Sequence, residues 1–328
     1  MQYDYGVKER GYSYEYTNVY MPLCDVFGKE NVILFDFFIK FKESGKGSMN
    51  RELLELTKSV KPDVSLFCLF ENEFEENIIA ELKNHTKTIA YFFDDPWRRD
   101  YVRHWIKYFN YFSTPDYYMF IQYRAELIEN SIFCPFGYNS NIYAKRELPF
   151  KYDVSFIGGY SPLRKWIVNI LYSAGIKVHV FGRGWDNKIK FISQDEMVNI
   201  FNQSKINMNL SNGISHDISY LIWSLTSLKA LKNNLLNKKD VEQVKGRHFE
   251  INACGGFQLS YFIPGLNIFY EIDREISVYP DLSKLPQMIR FFLDNEELRN
   301  TIAINGYNRS LKDHSAQSYL KKMIEKIK

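Results

Sequence analysis

Residues 245–260 read KGRHFEINACGGFQLS, and they place two cations and one carboxylate on a short helix that runs to a double glycine and a strand. An ionised carboxylate accepts several hydrogen bonds at once, so Glu250 suits the vicinal hydroxyls of a ribose. Lys245 and Arg247, a turn or less away, suit the phosphates of the same nucleotide. Gly255 and Gly256 end the helix and let the strand Phe257–Tyr261 pass close to a ligand. One helix would then hold both ends of a nucleoside diphosphate. The plainer reading is a surface ion pair, since Arg247 and Glu250 stand three apart on one helix face. Glu242 completes an E-x7-E spacing with Glu250, a spacing that so charged a stretch also produces by chance.

Three other segments carry chemistry. In Gly158–Arg164 (GGYSPLR) a strand ends, Gly158 and Gly159 free the backbone, and Pro162 opens a helix. Such a helix start suits a phosphate, and Arg164 adds a fork-shaped cation. The pattern is neither GxGxxG nor a Walker loop, and an ordinary strand-turn-helix corner competes with it. Gly182-Arg183-Gly184-Trp185 follows another strand; it reads as a seat for a flat nucleobase or as a tight loop with Trp185 lidding the core. Asp94 and Asp95 follow a strand in the first half. Either would serve as general base toward an acceptor hydroxyl, and capping of the turn at Pro96 is the competing role.

The elements that must position these residues alternate. Asn31–Phe38, Val64–Phe70 and Thr88–Phe93 are apolar runs of strand length, separated by the helical stretches Met49–Val60 and Glu75–Asn84. Near residue 145 the text turns charged around Pro149. The count then restarts with strands at Asp153–Ile157, Lys177–Phe181, Ile206–Leu210 and Phe257–Tyr261, and helices at Leu163–Ser173 and Asp195–Gln203. Leu282–Leu293 and Glu296–Tyr307 close as helices before a basic amphipathic tail. Strand-helix alternation of this kind implies mostly parallel sheets. In open sheets of that type, ligands bind at the carboxyl ends of the strands, which selects the four segments above.

The 328 residues suggest two domains. The net charge of +3 excludes a polycation that coats nucleic acid. Cys24, Cys68, Cys134 and Cys254 stand far apart without zinc spacing, which reads as reduced thiols in a cytoplasmic protein with no metal. No apolar run has the length of a membrane span. The basic tail Lys321–Lys328 hints at peripheral contact with the inner face of a membrane, against a solvated helix face. Among the histidines, His216 lies in a loop that could reach a cleft, although loop packing suits it better.

In order, SYEYTNVYMPL, VILFDF, KPDVSLF, YFFDDPW and FCPFGYNSNIY in the first half, then YDVSFIGGYSPLR, VHVFGRGW, KINMNLS, KGRHFEINACGGFQLS, YEIDREISVYPDLSKL and NGYNRSLKDH, resemble the CgeB-like glycosyltransferases. These are a spore-maturation-related branch of the group 1 (GT4-like) GT-B enzymes. The resemblance implies an α/β, GT-B architecture of two Rossmann-like domains facing across a cleft. The acceptor domain would span 1–147, the nucleotide-sugar domain 148–312, and a C-terminal helix, 313–328, would pack back toward the first.

The resemblance also implies sugar transfer from a nucleoside-diphosphate sugar, a co-substrate rather than a cofactor, to a glycan, lipid-linked or protein acceptor, without a metal. Glu250 would hold the ribose, Arg164 with Lys245 or Arg247 would face the diphosphate, and Glu242 has the spacing of a donor-sugar contact. The chain departs from the pattern at its start, where only QYDYG precedes the first helix instead of a strand and a glycine-rich loop. The acceptor-domain sheet would then be one strand short or edged differently. A catalytically inactive binding protein on the same fold is the alternative. A Rossmann oxidoreductase would need a GxGxxG loop, which is missing.

Overall fold

The computed structural model describes residues 1–185, 192–211, 213, 215, 217–236 and 239–327. The chain forms two compact units, one of Met1–Asn139 with Ser315–Lys328, the other of Ser140–His314. The division lies upstream of the charged stretch around residue 147 for a local reason. That stretch is tied into the second unit, where the Arg146 N–H donates to Asn202 Oδ1 at 2.6 Å and its guanidinium pairs with Asp195 at 2.8 Å.

In the first unit, helix α1 (Met21–Phe27) is followed by α2 (Phe37–Val60), strand β1 (Val64–Phe67), α3 (Glu76–Leu82) and β2 (Lys87–Tyr91). Then come α4 (Arg99–Trp105), β3 (Tyr111–Thr114), α5 (Tyr117–Ala125) and β4 (Ser131–Phe133). The strands pair in parallel in the order β1-β2-β3-β4. Phe67, Ala90 and Phe112 pack on Leu53, Ile79 and Trp105 on one face. Ile89, Tyr91 and Ile132 pack on Val19 and Leu320 on the other. Burial on both faces explains why these strands read as unbroken apolar runs.

The run Val32–Phe35 is extended but pairs with no strand. Asp36 ends it, because its carboxylate accepts from the N–H groups of Phe38 at 3.2 Å and Ile39 at 3.4 Å and starts α2. The first unit therefore lacks the strand expected at Asn31–Phe38.

The second unit holds β5 (Tyr152–Ile157), α6 (Pro162–Ser173), β6 (His179–Phe181), α7 (Gln194–Asn202), β7 (Ser204–Asn209), α8 (Ile218–Ser224) and α9 (Leu228–Leu236). It continues with α10 (Gly246–Ala253), β8 (Gln258–Tyr261), α11 (Leu266–Phe269), β9 (Ser277–Tyr279), α12 (Leu285–Asp294) and α13 (Glu296–Asp313). Its parallel sheet runs β6-β5-β7-β8-β9. Val154, Met208 and Leu259 pack on Ile167 and Leu171 of α6, Ile289 and Phe292 of α12 and Ile302 of α13. Arg299 is 2% exposed and donates to the carbonyls of Phe292 at 2.6 Å and Leu293 at 3.2 Å, so a cation closes the C-terminus of α12.

The last helix, α14 (Ala316–Glu325), belongs to the first unit. Its Leu320, Met323 and Ile324 are buried in the core with Val19 and Ile89. That face is spent on packing, which removes the apolar half of the membrane reading of the tail; Lys328 lies outside the described residues. Among the described residues no helix is long and apolar enough to cross a membrane.

Candidate donor site at the strand ends of the second unit

Parallel strands deliver their carboxyl ends to one edge of the sheet. In the second unit that edge gathers Gly158 after β5, Gly182 after β6, Ser211 after β7, and Tyr261 and Tyr279 at the ends of β8 and β9.

Arg164 sits on the first turn of α6, whose N-cap Ser161 accepts from the Arg164 N–H at 3.3 Å. Its guanidinium binds this edge together. Nε donates to the carbonyls of Leu210 and Ser211, each at 3.2 Å, Nη2 to Leu210 at 3.0 Å and Nη1 to Gly159 at 2.9 Å. Burial holds its pKa down at about 10, against the opposing pull of Tyr261 and Glu242. Three of the five guanidinium N–H groups suffice for these atoms, which leaves donors for an anion.

Glu242 faces the same cluster. The Ser211 hydroxyl donates to its Oε1, and the Tyr261 side chain hydrogen-bonds it as well. Burial raises the carboxyl pKa, while Tyr261, Lys245 and Arg164 oppose the rise. A Cβ at position 213 would fall 2.6 Å from Glu242 Oε1, so Gly213 makes room for this carboxylate. Burial likewise pushes the Tyr261 and Tyr279 hydroxyls well up, so both stay protonated. The Tyr279 hydroxyl and Asn209 Nδ2 are buried without a partner among the described residues. Orphaned polar atoms beside a half-buried cation and carboxylate mark a place that a polar guest would complete.

The glycine loops have a different logic. Gly182 has φ +121°, and a Cβ there would lie 2.6 Å from Gly158 O. The loops after β5 and β6 thus touch each other. Trp185 Nε1 donates to Gly158 O at 2.8 Å, and its ring meets Phe156 and Tyr160 edge-on at centroid distances of 6.0 and 5.7 Å. Trp185 pins these loops, as the packing alternative had it, while Gly159 and Arg183 are exposed.

Helix α10 must carry the chain back to the amino end of the sheet, because β7 and β8 are parallel neighbours. Lys245 and Arg247 therefore lie at the strand-end edge, and Gly255 and Gly256 lie about 12 Å away at the opposite end. Gly255 has φ +71° and terminates the helix. A Cβ at Gly256 would press to 2.6 Å from Asn207 Nδ2. Both glycines serve helix termination and close packing, not a ligand at the strand ends.

Between the two ends sits Glu250, its side chain 4% exposed, with Oε2 2.8 Å from Arg247 Nη1. The ion pair that the plainer reading put at the surface has a buried carboxylate and a half-buried guanidinium. Arg247 also touches Met197 Sδ and lies over the Phe201 ring, 5.2 Å from its centroid. The Tyr143 hydroxyl stands between Gln194 Oε1, at 2.9 Å, and the Glu250 carboxylate. Burial raises the Glu250 pKa, and Arg247 and Tyr143 resist the rise. The Lys245 N–H meets His248 Nδ1 at 3.1 Å, a ring held neutral because burial drops its pKa to about 4.

In the first unit the two aspartates part. Asp95 is fully buried, accepts from the Tyr123 hydroxyl at 2.7 Å, and has its pKa raised by burial to about 6, although Thr114 and Tyr123 pull it down. A base must reach the proton it removes, so a sealed carboxylate supports the fold instead. Asp94 is half-buried and accepts from Trp97 Nε1 at 3.3 Å, closing the turn; neither aspartate caps α4. His216 lies outside the described residues. Among the described residues no group of three His, Cys, Asp or Glu stands close enough to hold a metal ion.

Sequence reasoning doubted Glu242 and missed Ser211, Tyr261 and Tyr279. The E-x7-E spacing was the signal for the first, and a tyrosine at the end of each of two successive strands was the signal for the last two.

No curated protein sequence matches the chain. Residues 164–325, just under half of it, match the family described as glycosyl transferase-like, a segment that begins at Arg164 itself. Among solved structures, the chain is similar to Anabaena HepE in complex with UDP-glucose, with TM-score 0.57 and 10% identity over 85% of this chain and 81% of that one. It is similar to sucrose-phosphate synthase from Thermosynechococcus elongatus, with TM-score 0.58 and 10% identity over 85% and 77%. The pneumococcal O-GlcNAc transferase GtfA in complex with UDP and GlcNAc gives TM-score 0.54 and 10% identity over 84% and 59%. The fold is that of the GT-B glycosyltransferases, and all of the glycosyl transferase-like segment except residues 315–325 lies in the second unit.

Proposed function

We propose that the chain is a glycosyltransferase that moves a sugar from a nucleoside-diphosphate donor to a hydroxyl of a glycan, lipid-linked or protein acceptor. The observation that carries this reading is the Arg164–Glu242–Tyr261–Tyr279 cluster at the carboxyl ends of β5, β7, β8 and β9, inside the segment matched to glycosyltransferases. Sugar transfer leaves negative charge on the departing diphosphate, and preorganised cations in a buried site lower that barrier most. Arg164, with Lys245 and Arg247 at the start of α10, would supply them without a resident metal. Glu242 would accept from donor-sugar hydroxyls. Glu250 would receive the ribose, its carboxylate oriented by Arg247, with the nucleotide replacing the Tyr143 hydroxyl. Asp94 is the candidate base for an inverting reaction, because Asp95 is sealed.

HepE and GtfA were crystallised with UDP or its sugar, so uridine diphosphate donors come first in the test. A thermal-shift screen with UDP, GDP, CMP, ADP and dTDP is expected to single out one nucleotide. Turnover of the matching sugar nucleotide should then survive EDTA. Absence of stabilisation by every nucleotide defeats the reading. The burial of Asp95 also favours a second one, a nucleotide binder without catalysis; donor binding with no turnover toward any acceptor class would select it.

A further inference from the structure

Between Ser211 and Glu242, two residues of the donor cluster joined by a hydrogen bond, the chain leaves the strand-end edge and returns by way of α8 and α9. Both helices pack on α6. The Tyr220 ring meets that of Trp166 at a centroid distance of 5.3 Å, and its hydroxyl donates to Asn234 Oδ1 at 3.0 Å, which ties α8 to α9. Tyr220, Ser224 and Ala230 are buried, so the inward faces of both helices are fixed.

The outward faces carry the wrong residues for water. Ile218, Leu221, Ile222 and Leu225 stand at i, i+3, i+4 and i+7, one stripe of a helix, and are between 41% and 74% exposed. Leu228, Leu235 and Leu236 of α9 are between 65% and 87% exposed. Helix α14 shows the ordinary arrangement, with Leu320, Met323 and Ile324 turned into the core. Single exposed aliphatic residues need no account, but seven on the outer faces of one hairpin mark an interaction surface.

Charge and residue type together choose the partner. Residues 218–236 hold no Asp or Glu, and their two charges are Lys229 and Lys232. Lys232 is exposed one turn from both Leu228 and Leu236, on the outward stripe of α9. Lys229 stands over the Tyr160 ring, 4.2 Å from its centroid. Asp217, at the head of α8, spends its carboxylate on the N–H groups of Ser219 at 2.8 Å and Tyr220 at 3.1 Å. The centre of a protein interface favours Tyr, Trp, Phe, Met and Arg, is poor in Lys, and seldom uses Leu as an anchor. On these two helices every exposed large apolar side chain is Leu or Ile, and both cations are lysines. A second copy of the hairpin would bring the same cations and no carboxylate to meet them. An anionic phospholipid surface takes both, with Leu and Ile entering the acyl boundary and lysine meeting headgroup phosphates.

We propose that the α8–α9 hairpin docks on an anionic phospholipid surface through its outward Leu and Ile residues and Lys232. The inference does not rest on the donor-site reading, because vesicle binding is read without nucleotide and either can fail alone.

Flotation of the whole chain with vesicles of mixed phosphatidylglycerol and phosphatidylcholine tests it. The parent is expected to float with them, and to partition about tenfold less onto phosphatidylcholine alone. Leu225→Gln with Leu228→Gln and Leu235→Gln should lower partitioning onto the mixed vesicles by at least about tenfold. These three side chains already face water, so the denaturation midpoint should match the parent, which separates lost docking from lost folding. Lys232→Glu should weaken binding to the mixed vesicles and leave the residual binding to neutral ones unchanged. The idea is overturned if the triple variant floats as the parent does, if neutral vesicles bind the parent as well as anionic ones, or if no vesicle binds it. A parent dimer that ignores vesicles and is lost in the triple variant would overturn it as well, assigning the face to a second copy.

Discussion

The two units use the same local grammar, parallel strands joined by helices, and put opposite things at their strand ends. In the second unit, Arg164 and Glu242 stand with unpartnered polar atoms where β5, β7, β8 and β9 finish. In the first, the carboxylate after β2, Asp95, is sealed under Tyr123, with Oδ2 buried and without a partner among the described residues. Position relative to a strand end is therefore insufficient to name a site. Orphaned polar atoms occur in both units, so what separates the two places is access: Arg164 and Glu242 are half-buried, whereas Asp95 is sealed.

That contrast breaks most sharply at Arg164. Arg164→Met strips three carbonyl acceptors of their donor, and should cost about 3 kcal/mol in chemical denaturation. Donor turnover should fall about 100-fold in the same variant. Normal turnover in it would show that the strand-end cluster is architecture only.

The counterpart in the first unit is Asp95→Asn. The folded-state pKa of Asp95, about 6, exceeds its ordinary 3.8, so the native chain binds the proton more tightly than the unfolded chain does. The parent is then favoured at low pH and should lose about 3 kcal/mol as pH climbs from about 4 to about 6, a loss that Asn removes. Denaturation midpoints across that window measure it, and a parent profile that rises instead would refute the assignment.

Glu250→Gln keeps the shape and deletes the charge beside Arg247. We expect about 2 kcal/mol of destabilisation and a tenfold or greater loss of nucleotide affinity. Lower stability with unchanged affinity, read by calorimetry, would class the pair with Asp95. The smallest effect belongs to Gly255→Ala, about 1 kcal/mol from its positive φ, with the Michaelis constant for donor untouched. A shifted constant would mean that the far end of α10 meets the ligand after all.

The sheets were largely legible because strands buried on both faces read as continuous apolar runs, as VSLFCLF and TIAYFF do. The same signal misled at Val32–Phe35, since strand status requires a hydrogen-bonded neighbour and composition cannot supply one. β9 escaped notice because three residues are too short to show a period. At the site, the sequence located Arg164 and left its carbonyl contacts unseen. Gly255 and Gly256 pointed to the wrong edge because a motif written on one line hides that its helix travels the length of the sheet. Tyr261 and Tyr279 were lost among the 24 tyrosines of a chain whose composition devalues each one.

Helix α14 completes a core whose earlier members run from Val19 to Cys134, while residues 140–314 form one uninterrupted unit. A ribosome making this protein emits everything the second unit needs before it emits the last part of the first. The unit begun earliest must wait, one wall open, until α14 has been made, and its apolar surface is exposed to self-association in the interval. Clipping the final dozen residues should accordingly injure the amino-terminal half and spare the segment next to the cut.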